Sequence, residues 1–136
     1  MTIGFVPRRG LILVCNYDMA RVPPEMRKTR RAVVMSPRSH NRRHGHGPGR
    51  CLVVPFSASA PPSLTPADIP FPAGIYGSLT VPTWAICAAV MSVSHDRLNR
   101  VVAGGTGLDE SLSVTDMSRL EMGLLHALGM PPTPAR

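Results

Sequence analysis

Two short apolar runs that flank a basic loop constrain the fold of this chain most strongly. Residues 31–36 are Arg-Ala-Val-Val-Met-Ser and stop at Pro37, and residues 51–57 are Cys-Leu-Val-Val-Pro-Phe-Ser. β-Branched residues favour strands, and proline lacks the N–H that would continue the first one. The two runs therefore predict a β-hairpin with a long loop over residues 38–50.

Further strands are predicted on both sides of this hairpin. Residues 10–17 form a short apolar run, and residues 98–102 form another. The alanine content of residues 84–93 is compatible with a helix, but the flanking valine, threonine and tryptophan favour a strand. Residues 58–75 are rich in proline and show no periodicity, which predicts a long surface loop.

A single amphipathic helix is predicted near the C-terminus. Ser113 can cap it, Asp116 lies in its first turn, and Gly129 ends it. Its apolar residues recur at helical spacing: Met117, Leu120, Leu124 and Leu128. About five strands followed by one helix predict a mainly β fold, a small β-barrel with the helix packed over an open end, in one domain over residues 1–136.

Positive charge is concentrated in the first part of the chain. Residues 1–50 contain 11 Lys/Arg and two Asp/Glu, whereas residues 51–136 contain four and six. All of the cations except Lys28 are arginine, whose planar guanidinium suits two-point contact with phosphate. We therefore expect the basic half to face an anion, with nucleic acid as one candidate.

The cysteines indicate the compartment. Cys15, Cys51 and Cys87 each lie inside an apolar run and show no metal-ligand spacing, which favours buried, reduced thiols in the cytoplasm. The first ten residues lack the apolar core of a signal peptide. Prolines and glycines interrupt the uncharged residues 69–94, so this stretch is interpreted as core and not as a membrane span.

Several blocks, taken in order from residue 10 to residue 130, resemble the PemK/MazF toxins of bacterial toxin-antitoxin systems. The most specific combination is the Arg-led Ala-Val-Val-Met-Ser-Pro strand at 31–37 with Val-Pro-Phe-Ser at 54–57; Trp-Ala-Ile-Cys at 84–87 adds to it. The resemblance implies an SH3-like barrel with a C-terminal helix and a homodimer. It also implies cleavage of single-stranded RNA without a metal or other cofactor, and a cognate antitoxin that silences the activity.

Cleavage of this kind begins with attack of the ribose 2′-hydroxyl on the adjacent phosphate and yields a 2′,3′-cyclic phosphate and a 5′-hydroxyl. The reaction needs a proton acceptor, a proton donor and a cation that stabilises charge on the phosphoryl oxygens. The resemblance assigns the cation to Arg30, at the start of one hairpin strand. It assigns a hydroxyl donor to Ser57, at the end of the other. Both residues are predicted to be catalytic.

Other residues are expected to bind the RNA. The predicted RNA-binding cations are Arg27, Lys28, Arg31, Arg38, Arg42 and Arg43. Phe71 and Tyr76 flank the proline-rich loop and are predicted to stack on bases, whereas the remaining large aromatic residues are interpreted as core. The histidines of the basic loop, His40, His44 and His46, lie among glycines and arginines, so no metal site is expected there.

Position 88 departs from the family pattern. Many members carry an aspartate directly after the residue that matches Cys87, but this chain has Ala88. His95 is the best-placed remaining candidate for proton transfer, because imidazole titrates near neutral pH. Three alternatives stay open: a weakened toxin that binds RNA or DNA, a toxin-fold protein directed at DNA gyrase, and a basic structural protein.

Overall fold

Nine β-strands and one α-helix form the regular structure of residues 3–18 and 22–131, which are the residues that the computed structural model describes. The strands are β1 (Ile12–Asn16), β2 (Thr29–Val34), β3 (Arg50–Ser57), β4 (Asp68–Phe71), β5 (Thr83–Ile86), β6 (Met91–Ser94), β7 (Leu98–Arg100), β8 (Val102–Ala103) and β9 (Thr106–Gly107), and the helix is α1 (Val114–Ala127). Short 3-10 turns follow β5 (Cys87–Ala89) and β6 (His95–Arg97). Residues 19–21, between β1 and β2 in the sequence, lie outside the described residues.

Seven of these strands form one antiparallel sheet. Its order is β4-β5-β3-β2-β1-β7, and β6 also pairs with β3. Only a 3-10 turn separates β6 from β7, so one stretch of chain pairs first with β3 and then with β1. This arrangement brings the two outer sides of the β1-β2-β3 meander together and curls the strands around a common interior. The predicted mainly β architecture with one C-terminal helix is confirmed.

Apolar cores lie on both faces of the curled sheet. The barrel core, inside the curled strands, includes Leu13, Cys15, Ala32, Val34, Cys51, Val53, Val93 and Leu98. The helix core, between the sheet and α1, includes Ile12, Val33, Val54, Phe56, Phe71, Ala85 and Leu120. Alternate residues of a strand point to opposite faces, so Val33 and Val34 enter different cores. Burial on both faces explains why the hairpin runs are apolar at nearly every position.

Two predicted elements differ from the structure. The prediction of a loop over residues 58–75 is wrong at β4. Because β4 pairs only with β5 at the edge of the sheet, it tolerates Pro70, which lacks an N–H. The predicted strand over residues 84–93 is divided into β5 and β6 by a 3-10 turn. The first half pairs with the end of β3 and the second with its start, and Pro55 lies between these two paired regions.

The predicted C-terminal helix is confirmed. The Ser113 Oγ accepts a hydrogen bond from the backbone N of Asp116 at 3.1 Å, and Gly129 follows the helix with a φ of 70°. Leu120 is fully buried, whereas Leu128, which was expected on the apolar face, is 65% exposed because it lies beyond the last helical turn. Gly123 allows close packing, since a Cβ there would lie 2.7 Å from the Cys87 Sγ.

All three cysteines are buried and none is in a disulfide, as the sequence predicted. Burial raises the pKa of Cys15 to about 11 and the pKa values of Cys51 and Cys87 to about 12, so the thiols stay protonated near neutral pH. Among the described residues, no helix has the length and apolar character needed to cross a membrane.

Candidate active-site cleft

A cleft opens where β3 leaves β2. The β2–β3 ladder ends at the pair Ala32–Pro55, and beyond it Phe56 and Ser57 pair with β5. The space between the start of β2 and the end of β3 forms a cleft of about 180 Å³, which we call the hairpin cleft. Its lining residues are Thr29, Arg30, Arg31, Phe56, Ala58, Ser78, Leu79, Thr80, Val81 and Thr83.

Arg30 is half-buried at the mouth of the barrel core. It lies opposite Cys15 in the β1–β2 ladder, and its charge acts on the buried hydroxyl of Tyr17. The Arg30 Nε donates a hydrogen bond to the carbonyl oxygen of Arg27 at 2.9 Å, which orients the guanidinium group. Among the described residues, its two terminal nitrogens have no hydrogen-bond partner. A guanidinium anchored in this way can present both terminal nitrogens to one phosphate.

Arg31 reaches the same cleft from the other face of β2. Its Nε donates to the carbonyl oxygen of Ser78 at 3.2 Å. The turn that carries this carbonyl is held by Glu110, which accepts from the backbone N of Gly77 at 2.8 Å and from that of Ser78 at 2.6 Å. Burial alone would raise the pKa of Glu110, but these hydrogen bonds and one from the Ser78 hydroxyl hold it below its usual value. Glu110 therefore fixes the turn that positions Arg31.

Ser57 flanks the hairpin cleft, between two residues that line it. It is half-buried. Because side chains alternate along a strand, Ser57 lies on the same face of β3 as Val53, which is the barrel side. By the same alternation, Arg30 lies on the barrel side of β2. The Ser57 Oγ donates to the carbonyl oxygen of Ser59 at 3.0 Å and accepts from the Ser59 backbone N at 3.2 Å. In the described part of the chain, no hydrogen bond joins Ser57 to Arg30. Within this part of the chain, the two predicted catalytic residues thus share one edge and are not hydrogen-bonded to each other.

A larger groove of about 600 Å³ adjoins Arg27. The loop before β2 contributes Pro24, Glu25, Met26 and Arg27, and the end of β5 with its 3-10 turn contributes Ile86, Ala88 and Ala89. Ala88 is exposed on the groove wall. Glu25 supplies a carboxylate to the same groove, and its Oε1 accepts from the Val22 backbone N at 2.6 Å. Glu25 was not among the predicted site residues, because nothing in the polar stretch around it indicated that the fold would place it on the same groove as Ala88.

The structure divides the predicted RNA-binding cations into two groups. Arg27, Lys28 and Arg31 lie near Arg30, whereas Arg38, Arg42 and Arg43 lie in the loop at the opposite end of the hairpin. Five residues of extended chain separate Arg30 from Met35, which corresponds to about 17 Å. The two groups therefore cannot contact one phosphate together.

His95 belongs to the opposite end as well. It follows Ser94, which pairs with Arg50 at the start of β3, and it is 0% exposed. Its Nδ1 accepts a hydrogen bond from the Gly49 backbone N at 3.2 Å. Burial and the charge of Arg43 lower the pKa of His95. The fold does not bring this residue to Arg30 or Ser57.

The aromatic residues also differ from the prediction. Phe71 is 2% exposed and packs edge-to-face on Phe56 with ring centroids 5.5 Å apart, so the prediction that it stacks on bases is wrong. The Tyr76 hydroxyl donates to the Asp116 Oδ2 at 2.6 Å, which ties this ring to α1. Trp84, which was interpreted as core, is only half-buried and lines an apolar cavity.

The sequence of residues 8–128 matches the family described as PemK-like, MazF-like toxin of type II toxin-antitoxin system. The chain belongs to the PemK/MazF toxin family. The match spans both cavities described above and all of β1 to α1. No protein with a curated description is significantly similar to this sequence.

Solved structures share the fold of this PemK/MazF protein. MazF from Deinococcus radiodurans has a TM-score of 0.69 and 22% identity, over 93% of this chain and 99% of that chain. An endoribonuclease from a mycobacterial species has a TM-score of 0.62 and 18% identity, over 95% and 97%. A mycobacterial endoribonuclease in complex with its cognate antitoxin has a TM-score of 0.61 and 17% identity, over 93% and 99%. The predicted PemK/MazF-like fold is confirmed.

Proposed function

We propose that this PemK/MazF protein is an endoribonuclease that cleaves single-stranded RNA without a metal ion. The observation that carries the proposal is the Arg30 guanidinium, which is anchored through Nε and has both terminal nitrogens available at the edge of the hairpin cleft. Membership of a toxin family supports the proposal, as does the fold shared with proteins described as endoribonucleases.

In the proposed reaction, the ribose 2′-oxygen attacks the adjacent phosphorus, the bond from phosphorus to the 5′-oxygen breaks, and solvent water protonates the leaving 5′-oxygen. Negative charge grows on the two non-bridging oxygens, and the terminal nitrogens of Arg30 donate hydrogen bonds to them. A guanidinium already held by the Arg27 carbonyl needs little reorganisation as this charge develops. The Ser57 hydroxyl lies on the same edge and exchanges its bond to the Ser59 carbonyl for one to the phosphate.

We assign the acceptor of the 2′ proton to Glu25. Position 88, where many family members carry an acid, offers only a methyl group to the groove, whereas Glu25 brings a carboxylate to it. Arg27 lines this groove, and its carbonyl oxygen holds Arg30, so the two cavities adjoin. His95 takes no part, because it is fully buried at the opposite end of β3.

The RNA backbone approaches through Arg27, Lys28 and Arg31, the cations that surround Arg30. The antitoxin complexes of a mycobacterial endoribonuclease and of Deinococcus radiodurans MazF support a cognate antitoxin as the partner that silences the activity. The homodimer and the cytoplasmic location expected from the sequence stay predictions.

A weakened toxin that binds RNA without cutting it is the second candidate. The specific observation that favours it is Ala88, which is exposed on the groove wall where family members often carry an acid. The two candidates differ in one measurable property, since only the nuclease leaves new RNA ends.

Incubation of the purified protein with single-stranded RNA in EDTA, followed by mapping of the product ends, tests the proposal. We expect cuts that leave 2′,3′-cyclic phosphates and 5′-hydroxyls, and we expect Arg30→Ala to abolish them. Arg100→Ala is the matched control, because Arg100 lies outside both cavities near Asp109 and should leave cutting unchanged. Binding without new ends would favour the weakened toxin, and an Arg30→Ala protein that cuts like the wild type would overturn the assigned mechanism.

A further inference from the structure

A second set of cationic side chains forms a cavity at the far end of the hairpin. This cavity measures about 330 Å³ and is lined by Ser39, His40, Arg42, Arg43, His44 and Arg50. A neighbouring cavity of about 490 Å³ shares His44 and Arg50 with it. Among the residues that the structure describes, no acidic side chain lines either cavity. We call the two cavities together the loop cradle.

The arginines of the loop cradle have no acidic partners within residues 3–18 and 22–131. Other arginines of the protein do pair with carboxylates: Arg8 and Arg100 with Asp109, Arg9 with Glu121, and Arg119 with Asp116. Arg42, Arg43 and Arg50 form no such pair in the described ranges. Positive charges that line the same cavities repel one another, and a bound anion would relieve the repulsion.

The first part of the loop over residues 38–50 is anchored by a buried amide. Asn41 is 0% exposed, and its Nδ2 donates to the carbonyl oxygens of Pro7 at 2.9 Å and Ser36 at 2.8 Å. The Ser36 hydroxyl donates to the Asn41 Oδ1 and accepts from the Leu52 backbone N at 2.9 Å. The backbone directly before Arg42 and Arg43 is therefore fixed to the sheet.

The last part of this loop is anchored at Gly49. Its backbone N donates to the His95 Nδ1, and its carbonyl oxygen accepts from the His95 backbone N at 2.9 Å. A Cβ at position 49 would lie 2.0 Å from the carbonyl oxygen of Arg42, so only glycine lets the two parts of the loop meet. The loop cradle is thus built in advance on a buried frame, which lowers the ordering cost of binding.

We propose that the loop cradle is a noncatalytic phosphate-binding site that holds the backbone of the RNA at a second point, away from the bond that is cut. RNA as the ligand rests on the proposed function. The extended chain from Arg30 in β2 to Met35, which directly follows β2, spans about 17 Å and separates the two sites. A long RNA can therefore engage both sites at once, whereas a short oligonucleotide in the hairpin cleft cannot.

The chemistry of the lining favours phosphate over other ligands. Guanidinium, imidazole and hydroxyl groups supply donors for phosphate oxygens. An acidic peptide would also need pockets for apolar anchors, but the only apolar side chains of the lining are Pro48 and Val93, and Val93 is 2% exposed. No three metal-ligating side chains converge among the described residues, and the nearby arginines oppose a cation.

Binding of a fluorescein-labelled 30-nucleotide RNA tests the proposal. The Arg30→Ala background prevents cutting, and the dissociation constant is measured over a range of KCl concentrations. The double substitution Arg42→Gln/Arg50→Gln should weaken binding at least tenfold and reduce the slope of log K against log salt by about 1.4, for two lost phosphate contacts at ~0.7 each. The matched control is Arg8→Gln/Arg100→Gln, which removes the same charge from arginines that pair with Asp109.

The second part of the test is a cleavage assay, in which the double variant keeps the native Arg30. The double variant should lose at least tenfold in kcat/KM on the 30-nucleotide RNA and keep the wild-type value on a trinucleotide, which is too short to reach the loop cradle from the hairpin cleft. Circular dichroism melting confirms that both double variants are folded. Equal RNA affinities of the cradle variant and the control variant would overturn the proposal. So would a cradle variant that loses binding to poly-glutamate but binds RNA normally, since that result indicates a protein partner.

The two proposals fail in different ways. If the wild-type protein does not cut RNA but its binding still depends on Arg42 and Arg50, the nuclease proposal fails and the loop cradle stands. If the wild-type protein cuts RNA and the cradle variant matches the control on both RNA lengths, the loop cradle fails and the nuclease proposal stands.

Discussion

The Arg30 Nε donates a hydrogen bond to the carbonyl oxygen of Arg27 at 2.9 Å. This hydrogen bond joins the start of β2, which lines the hairpin cleft, to the loop that lines the neighbouring groove. The guanidinium of a strand residue is therefore oriented by the loop that carries Glu25. We expect substitutions in this loop to change the catalytic rate even where they do not touch the RNA.

Glu25→Gln should lower kcat/KM for RNA cleavage by about 10²-fold or more, because the amide cannot accept the 2′ proton. The amide oxygen can still accept from the Val22 backbone N, so this hydrogen bond should be kept. Adding Ala88→Asp should restore part of the activity by returning a carboxylate to the groove. Cleavage rates of the single and double variants test this, and a Glu25→Gln protein with the wild-type rate would remove Glu25 from the mechanism.

Tyr76→Phe should lower the free energy of unfolding by about 1–3 kcal/mol. The Tyr76 hydroxyl donates to the Asp116 Oδ2 at 2.6 Å and accepts from the Ser113 backbone N at 2.8 Å, so its loss leaves both groups without this partner. Urea unfolding measures the effect. In a double-mutant cycle with Asp116→Asn, additive free energies would contradict a direct contribution of this hydrogen bond.

Gly123→Ala should destabilise the protein, although alanine normally stabilises a helix interior by about 1 kcal/mol relative to glycine. The added Cβ would lie 2.7 Å from the Cys87 Sγ and 3.2 Å from the Ile69 Cδ1. We expect a loss of about 1–3 kcal/mol in thermal or urea unfolding. Adding Cys87→Ala to Gly123→Ala should recover part of this loss, and a Gly123→Ala protein that melts above the wild type would show that the packing is looser than described.

The stability of the protein should fall as the pH drops below about 6.5. Burial and the charge of Arg43 lower the pKa of His95, and His44 adds to this effect, whereas the Asn41 backbone and the charge of Asp96 raise the pKa. An unfolded imidazole titrates near 6.5, so below that pH the unfolded chain binds more protons than the folded one. Stability is thus fully present above about pH 6.5 and is lost as the pH falls through the folded pKa.

Melting temperatures between pH 7.5 and pH 5.5 measure this dependence. The wild type should lose more stability over this range than His95→Gln, in which the buried imidazole is absent. His40, His44 and His46 are present in both proteins, so any contribution they make to the pH dependence of stability is the same in each. Equal slopes for the two proteins would contradict the assignment to His95.

The sequence predicted the elements that local patterns define. The hairpin runs around Val33 and Val54 are apolar on both faces, and α1 carries its own cap at Ser113, so neither depends on distant residues for recognition. The strand β4 was missed because Pro70 argues against a strand, and only its position at the sheet edge makes that residue acceptable. The division of β5 from β6 was missed because it follows from pairing with two different parts of β3.

The candidate site also combines residues that local sequence patterns indicate with residues that only the fold brings together. Arg30 and Ser57 were assigned through the family resemblance, which rests on recognisable strands, and their catalytic roles stay predictions. Glu25 was not found, because its place on the groove depends on the loop before β2 meeting the 3-10 turn after β5. His95 was named as the best-placed remaining candidate for proton transfer, but the sequence does not show which end of β3 its turn joins, and the fold places it away from Arg30.

In the proposed mechanism, the anchored fork of Arg30 stabilises the charge that develops on the phosphate. The single-turnover cleavage rate of Arg30→Lys tests it most directly, because lysine keeps the charge but loses both the second terminal nitrogen and the bond to the Arg27 carbonyl. We predict a rate about 10²–10³-fold below the wild type, with Arg100→Lys at the wild-type rate. An Arg30→Lys protein that cleaves as fast as the wild type would contradict the account.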